Sequence, residues 1–536
     1  MTETARPTAI RRVDVTFSPP TPNGDLHLGH LSGPVLASDV CARSQKILGH
    51  DVAFACSTDD NQTYVVTTAQ RLGTSPEALI RQALDRVRVS LDLAGVQVDL
   101  FERPDADYEK FVREFFSYLW ERGAFDRRVV DLPYDAEAGE YRAEAFVTGR
   151  CPVCLAHARA GVCEACGLYN LPDALLPVRD SASALPRKPV PIWVLDLERY
   201  RSLITEHYAN PDVVLRPDLR RVVTESLGGR LPYIPITYPS TWGIQVDWDG
   251  PDTRTQAINA WPEIYVGHVY WLRRARENRL SGRDELVQFI GIDNGFYNVF
   301  VYLVLSMLAN GFGLPIDLPA TRTVTNQYFL LAGRKFSTSK GDVRWARDYL
   351  ESVGRDRARF VLSLTSPELQ QSEFTEQVAA STLRTRFDEP LAVVGAGLAA
   401  LVGRRIDVPS SPWWNVALAA SVGRFTAAYD LDDFSIRRAA EALAQHLEVL
   451  KIGLDQLGEA DVAGALRFLW ALRTLAWPVT PDLAAEVALS FGADPSLLPL
   501  MADIATVPAG VFAGLSLRAS APAAVNGVLV PASASE

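Results

Sequence analysis

Ser18-Pro-Pro-Thr-Pro-Asn-Gly-Asp-Leu-His-Leu-Gly-His30 decides the fold through what flanks it. Before it, Val13, Val15 and Phe17 alternate within Arg12 to Ser18, the period of a half-buried strand. After it, Leu28 to Leu48 has the length and residue preferences of a helix, and Asp51 to Ser57 is a second apolar run with Val52, Phe54 and Cys56 in phase. Thr74-Ser75-Pro76-Glu77 then opens another helix with a capping hydroxyl, a proline in the first turn and an acidic residue beside the dipole. Strand, helix, strand, helix predicts a parallel sheet of doubly wound type. The Pro/Gly/Asn loop then sets His27 and His30 in the first turn of a helix, where unpaired N–H groups favour an anion. Imidazoles three residues apart share one side of that turn, and Gly29 leaves room for a base or ribose against the backbone.

A chain of 536 residues exceeds the roughly 250 to 300 at which single cores stop growing, so several structural units are expected. No apolar run approaches the ~20 residues of a membrane span, and Met1-Thr2-Glu3-Thr4 lacks the basic-then-apolar layout of a secretory signal. A cytoplasmic protein without a membrane partner is expected. A formal net charge of -11 argues against indiscriminate coating of nucleic acid, though it leaves room for a local basic face. Four of the six cysteines form Cys151-Pro-Val-Cys154 and Cys163-Glu-Ala-Cys166, paired C-x2-C units that suit structural Zn2+ better than disulfides in a cytosolic chain. Four thiolates close the coordination sphere and leave no position for water. Cys41, on a helix, and Cys56, on a strand, read as core.

About three hundred residues further on, Lys335-Phe-Ser-Thr-Ser-Lys-Gly341 carries small hydroxyls between cations, suited to gripping a leaving pyrophosphate. Glu285 to Gly291 reads as a further buried strand ending at Asp293, a carboxylate suited to ribose hydroxyls or to a helix cap. Glu376 to Val402, Trp413 to Asp430, Ser435 to Leu457 and Ala463 to Ala476 read as helices of a bundle. From Ala505 onward, Ala, Pro, Ser and Val predict a loose tail or an extended strap.

With these segments in this order, joined by Gly49-His-Asp-Val52, Ser57-Thr-Asp-Asp60 and Thr241-Trp-Gly-Ile244, residues from about 12 to 375 resemble the catalytic part of a methionyl-tRNA synthetase, a class I aminoacyl-tRNA synthetase. The resemblance implies an α/β fold: a split Rossmann-type parallel-sheet catalytic domain with a zinc-knuckle insertion, then an α-helical bundle. It divides the chain into a first catalytic half (1–118), an insertion with the four-cysteine zinc knuckle (119–225), a second half (226–320), a domain holding the lysine loop (321–375), an anticodon-binding-like bundle (376–505) and a tail (506–536). Leu231 to Ile244 is expected to re-enter the sheet. Catalytic roles fall to His27, His30 and Lys335, and ATP contacts to Asn23, Gly24, Gly29, Gly291, Asp293, Ser337, Thr338, Ser339 and Lys340. Magnesium accompanies the nucleotide. Asp59 matches the position that holds the substrate's α-amino group.

Departures from the family concentrate around the amino acid. Pro19 and Thr21 stand where methionine enzymes carry leucine and tyrosine, Ile258 where they carry a tryptophan, and Asn298 where they carry a histidine; Tyr265 retains an aromatic, and Glu263 adds a carboxylate. Thr237-Tyr238 replaces a Ser-Arg step, and Thr338 replaces the loop's second lysine, with Lys340 two positions later. Losing aromatic walls removes contacts to a thioether, and polar groups favour a polar side chain. The bundle also lacks the family's Asn-Leu-x-x-x-Arg and Ala-Pro-Trp features, by which unpaired bases would be stacked. The expected function is an ATP-dependent amino-acid-activating ligase, favoured as a specialised paralogue that serves a small-molecule or protein acceptor, with a divergent methionine-tRNA ligase as the alternative.

Overall fold

The computed structural model describes residues 10–176, 185–248, 256–276, 285–311, 322–336, 343–403, 411–456, 462–504, 506–508 and 512–515. Along the chain run β1 (Arg12–Phe17), the short helix α1 (Leu28–His30), α2 (Leu36–Ile47), β2 (Asp51–Ser57), α3 (Thr63–Leu72), α4 (Pro76–Ala94), β3 (Leu100–Glu102) and α5 (Ala106–Glu121). After an insertion come α6 (Ala260–Ala275), β4 (Glu285–Gly291) and β5 (Arg322–Asn326). The five strands form one parallel sheet in the order β5-β4-β1-β2-β3. The chain therefore winds outward from β1 through β2 to β3, then returns to the other side of β1. That reversal is the point at which open α/β sheets bind ligands.

Three expectations are corrected. β1 is buried on both faces: Asp14 is ion-paired to Arg276, and Thr16 hydrogen-bonds His268 at 3.0 Å, so its polar residues also point into protein. The expected helix 28–48 is broken at Gly33, whose backbone is non-helical (φ -101°, ψ -118°), with Pro34 next. An added Cβ at Gly33 would meet the Asn326 amide at 2.6 Å, so glycine lets β5 approach the kink. Leu231 to Ile244 does not join the parallel sheet. Tyr233–Pro235 pairs antiparallel with Arg187–Asp196 of the insertion, and Thr237–Pro239 pairs with Gln256–Ile258. Pro232, Pro235 and Pro239 lack the N–H groups a central strand would need.

The insertion carries an antiparallel sheet in which Asp126–Asp135 pairs with Arg187–Asp196. Beyond β5, helices Pro412–Tyr429, Ile436–Gln456 and Val462–Leu475 pack together as expected; Arg355–Leu364, not foreseen as part of the bundle, packs with them, and the helix expected over 376–402 is Glu376–Leu383 and Glu389–Ala399 joined by a π-type turn. Buried Arg359 ties them to the sheet domain: it donates to Asp39 of α2 at 2.7 Å, to Ala94 O at 3.0 Å, and to Val479 O and Pro478 O at 2.9 and 2.6 Å. Part of the tail is a strap, with Phe512 fully buried against Phe491. Cys41 and Cys56 are core. No described helix is long and apolar enough to cross a membrane.

Candidate active site

The loop after β1 delivers His27 as the N-cap of α1 and His30 three residues on. Each ring's Nδ1 accepts a backbone N–H from the other residue at 3.3 Å, and the rings stack with centroids 3.7 Å apart. Burial, reinforced by Lys335, drives His27 well below the ordinary histidine range, and burial brings His30 down to about 4. Both imidazoles are therefore neutral near pH 7. With Nδ1 occupied as an acceptor, each is fixed as the Nε2–H tautomer and has one ring donor left. The pair thus offers two N–H groups rather than two cations. Gly29 serves this arrangement, because an added Cβ would sit 3.0 Å from His27 Cε1. The glycine predicted to admit a base or ribose makes room for the His27 ring.

The segment just after the Lys335–Gly341 stretch bonds the histidine loop through the backbone. Leu28 N bonds Arg344 O at 3.0 Å, Ala346 N bonds Leu26 O at 2.9 Å, and His27 and Trp345 form an antiparallel bridge. Phe336 stacks on His27 with centroids 5.4 Å apart. Lys335 Nζ lies 3.0 Å from Asp293 Oδ2, at the C-terminal end of β4. Burial raises Asp293, but the lysine holds it below the usual carboxylate range. A Cβ on Gly291 would displace that carboxylate, so glycine lets Asp293 keep its place beside Lys335. Asn23 and Gly24 lie in the turn before the histidines, with Asn23 N bonded to Thr21 O at 2.8 Å. Ser337, Thr338, Ser339 and Lys340 lie outside the described residues.

Asp59 follows β2 and is tied to the first loop by its N–H to Pro20 O at 3.1 Å. Burial and the nearby Glu263 push its carboxyl well above the ordinary range. Glu263 Oε1 accepts from Asn61 Nδ2 at 2.8 Å and from the Tyr108 hydroxyl at 2.9 Å, while Oε2 has no partner; burial lifts the group to about 8. Glu144, at a left-handed φ of 48°, accepts from Thr63 Oγ1 at 3.5 Å and is also lifted by burial to about 8. Ile258 and Tyr265 are buried in one apolar cluster with Tyr302. Tyr265, Asn298 and Tyr302 line a cavity of about 30 Å³ beside Gln288 and Tyr208. Pro19 and Thr21 are half-buried on the loop above. Sequence reasoning missed Glu144, Tyr108 and Glu164: the first two lie outside any motif, Glu164 is a spacer residue of the second C-x2-C pair, and only the fold gives each its neighbour.

The four cysteine sulfurs lie within 4.8 Å of one another, with Cys151–Cys166 at 3.8 Å and Cys154–Cys163 at 3.6 Å. Tetrahedral bonds of about 2.3 Å to zinc require sulfurs about 3.8 Å apart, so the set fits that ion. Cys151, Cys154, Cys163 and Cys166 would hold it, and the ion would supply cross-linking rather than catalysis.

A sheet switch point thus brings together a histidine pair, a carboxylate and a lysine from a distant loop. A family model described as tRNA synthetases class I (M) matches residues 13–391, and the chain belongs to that family. It is 28% identical over 384 residues to a methionine–tRNA ligase of Christiangramia forsetii, covering 68% of this chain and 54% of the relative. The methionine–tRNA ligase of Chlorobium limicola is 25% identical over 535 residues, 91% of this chain and 74% of the relative. The chain spans about half the length of the C. forsetii relative. The fold matches Mycobacterium tuberculosis methionyl-tRNA synthetase in complex with methionyl-adenylate at a TM-score of 0.72, with 19% identity, covering 95% of this chain and 98% of that one.

Proposed function

We propose that this chain activates an amino acid with ATP and transfers the aminoacyl group to tRNA, as a divergent methionine-tRNA ligase. The observation that carries the activation is the meeting of His27, His30, Asp293 and Lys335 at the switch point. The amino-acid carboxylate attacks the α-phosphorus, the bond to the β,γ-pyrophosphate breaks, and the leaving group departs with the displaced electron pair. The two Nε2–H donors stabilise charge on the α-phosphate. Lys335 leaves Asp293 for the phosphates, freeing that carboxylate for the ribose. In this reading ATP, with Mg2+, also contacts Asn23, Gly24, Gly29, Gly291 and the Ser337–Lys340 segment. Burial favours the protonated form of Asp59, and the incoming α-ammonium favours its ionised form. The bundle of 376–505 contacts the tRNA. The family membership and the methionine–tRNA ligases among its relatives support the substrate.

A second reading, activation of a different amino acid for a small-molecule or protein acceptor, is favoured by two features. Glu263, with one oxygen unpartnered, stands near Asp59, and aliphatic Ile258 replaces an aromatic wall. Amino-acid-dependent exchange of pyrophosphate into ATP, over a panel of amino acids, separates the readings. Strong exchange with methionine and charging of total tRNA establish the first; exchange with another amino acid alone establishes the second. Exchange with none overturns both.

A further inference from the structure

Lys335 is held by more than the ribose carboxylate. Its Nζ also lies 3.2 Å from Glu164 Oε2, and 4.3 Å above the ring of Tyr328. Glu164 stands between Cys163 and Cys166, so the contact comes from the knuckle itself. Its backbone is pinned, because the Tyr328 hydroxyl donates to Glu164 O at 2.7 Å. The knuckle is also seated from below: Arg221 Nη2 donates to Cys166 O at 3.2 Å. A carboxylate on a rigid loop therefore faces the lysine that the proposed chemistry must move.

The two acids holding Lys335 differ. The Asp293 side chain is 29% exposed and that of Glu164 61%, so Glu164 regains water at little cost when the lysine leaves. A polyphosphate entering beside His27 and His30 competes with both acids for one ammonium. We propose that Glu164 is a positioning residue: it parks Lys335 beside Asp293 in the nucleotide-free protein, and ATP binding breaks this contact between knuckle and lysine. The proposal rests on the adenylation reading for the direction in which Lys335 moves. Coupling of this kind is reciprocal, so a ligand that breaks the contact binds more tightly once the contact has been removed.

The test uses the full chain, a non-hydrolysable ATP analogue with Mg2+, and no amino acid. Glu164→Gln is expected to tighten analogue binding about two- to fivefold, the range of one exposed ion pair. In pyrophosphate exchange the KM for ATP should fall by the same factor, with kcat within about twofold of wild type. Hydrogen exchange across residues 151–167 should rise when the analogue binds wild type, and should already be raised in Glu164→Gln. Zinc content of one per chain in the variant shows that the knuckle is intact. Weaker or unchanged analogue binding by Glu164→Gln overturns the proposal, as does a knuckle whose exchange ignores the analogue. So does failure of the wild-type protein to bind the analogue. Exchange with no amino acid, while binding and hydrogen exchange respond as expected, overturns the function and leaves the coupling standing.

Discussion

At the residue scale, His27 and His30 do two jobs that can be separated. As a cap, His27 needs an acceptor; as a phosphate donor, it needs Nε2–H. Asparagine is a good N-cap, so His27→Asn should leave the thermal midpoint nearly unchanged and lower the rate of adenylate formation by about 10²-fold or more, the usual cost of one oxyanion donor. His30→Asn should match it. Gly29→Ala asks the His27 ring to move by a few tenths of an ångström and should also lose activity without unfolding, as circular dichroism would check. The histidine spacing was legible in the sequence because a strand, a turn and a helix are local signals. Its electrostatics were not. Neutrality of the rings depends on burial and on Lys335, which arrives from more than three hundred residues away.

Glu144 and Glu263 make a pH prediction. Each titrates near 4.5 when unfolded and about 8 when folded, so each binds a proton on folding between those values. Their stabilising effect is complete below about pH 4.5 and fades as pH rises towards 8. Stability without substrate should therefore decline across that window. Glu263→Gln should flatten the decline, as denaturant midpoints measured at several pH values would show.

At the scale of elements, pairing partners decide what periodicity cannot. The alternation of Val13, Val15 and Phe17 suggested one wet face on β1, yet Arg276 and His268 cover that face from α6 and its end. The prolines of Leu231 to Ile244 were a visible warning, but their partners lie in the insertion. Cys151 to Cys166 was the easiest element to read, because C-x2-C spacing is itself the geometry of a ligand pair. Cys151→Ala should abolish stoichiometric zinc and lower the thermal midpoint by several degrees. A protein that stays fully stable and zinc-free would count against a structural metal.

Across the whole molecule, the sheet domain and the helices beyond β5 meet at Arg359, Asp39 and Arg43. Burial pushes Asp39 up, but the two guanidiniums hold it below the usual carboxylate range. Its contribution is present above about pH 4 and is lost as pH falls further, the reverse of the Glu263 trend. Arg359→Met leaves Asp39 buried beside Arg43 alone and should destabilise the protein by about 3 kcal/mol or more. Denaturant unfolding would measure it.

Arg359 also bears on where the protein can be cut. Two of its four acceptors, Val479 O and Pro478 O, lie within residues 376–505, the segment that motif reading set aside as a separate bundle. A fragment ending near residue 375 would keep every candidate catalytic group and strand a buried cation. A chain cut near residue 375 is therefore expected to be less stable than one that extends beyond Val479, because these hydrogen bonds cross the border drawn from motifs.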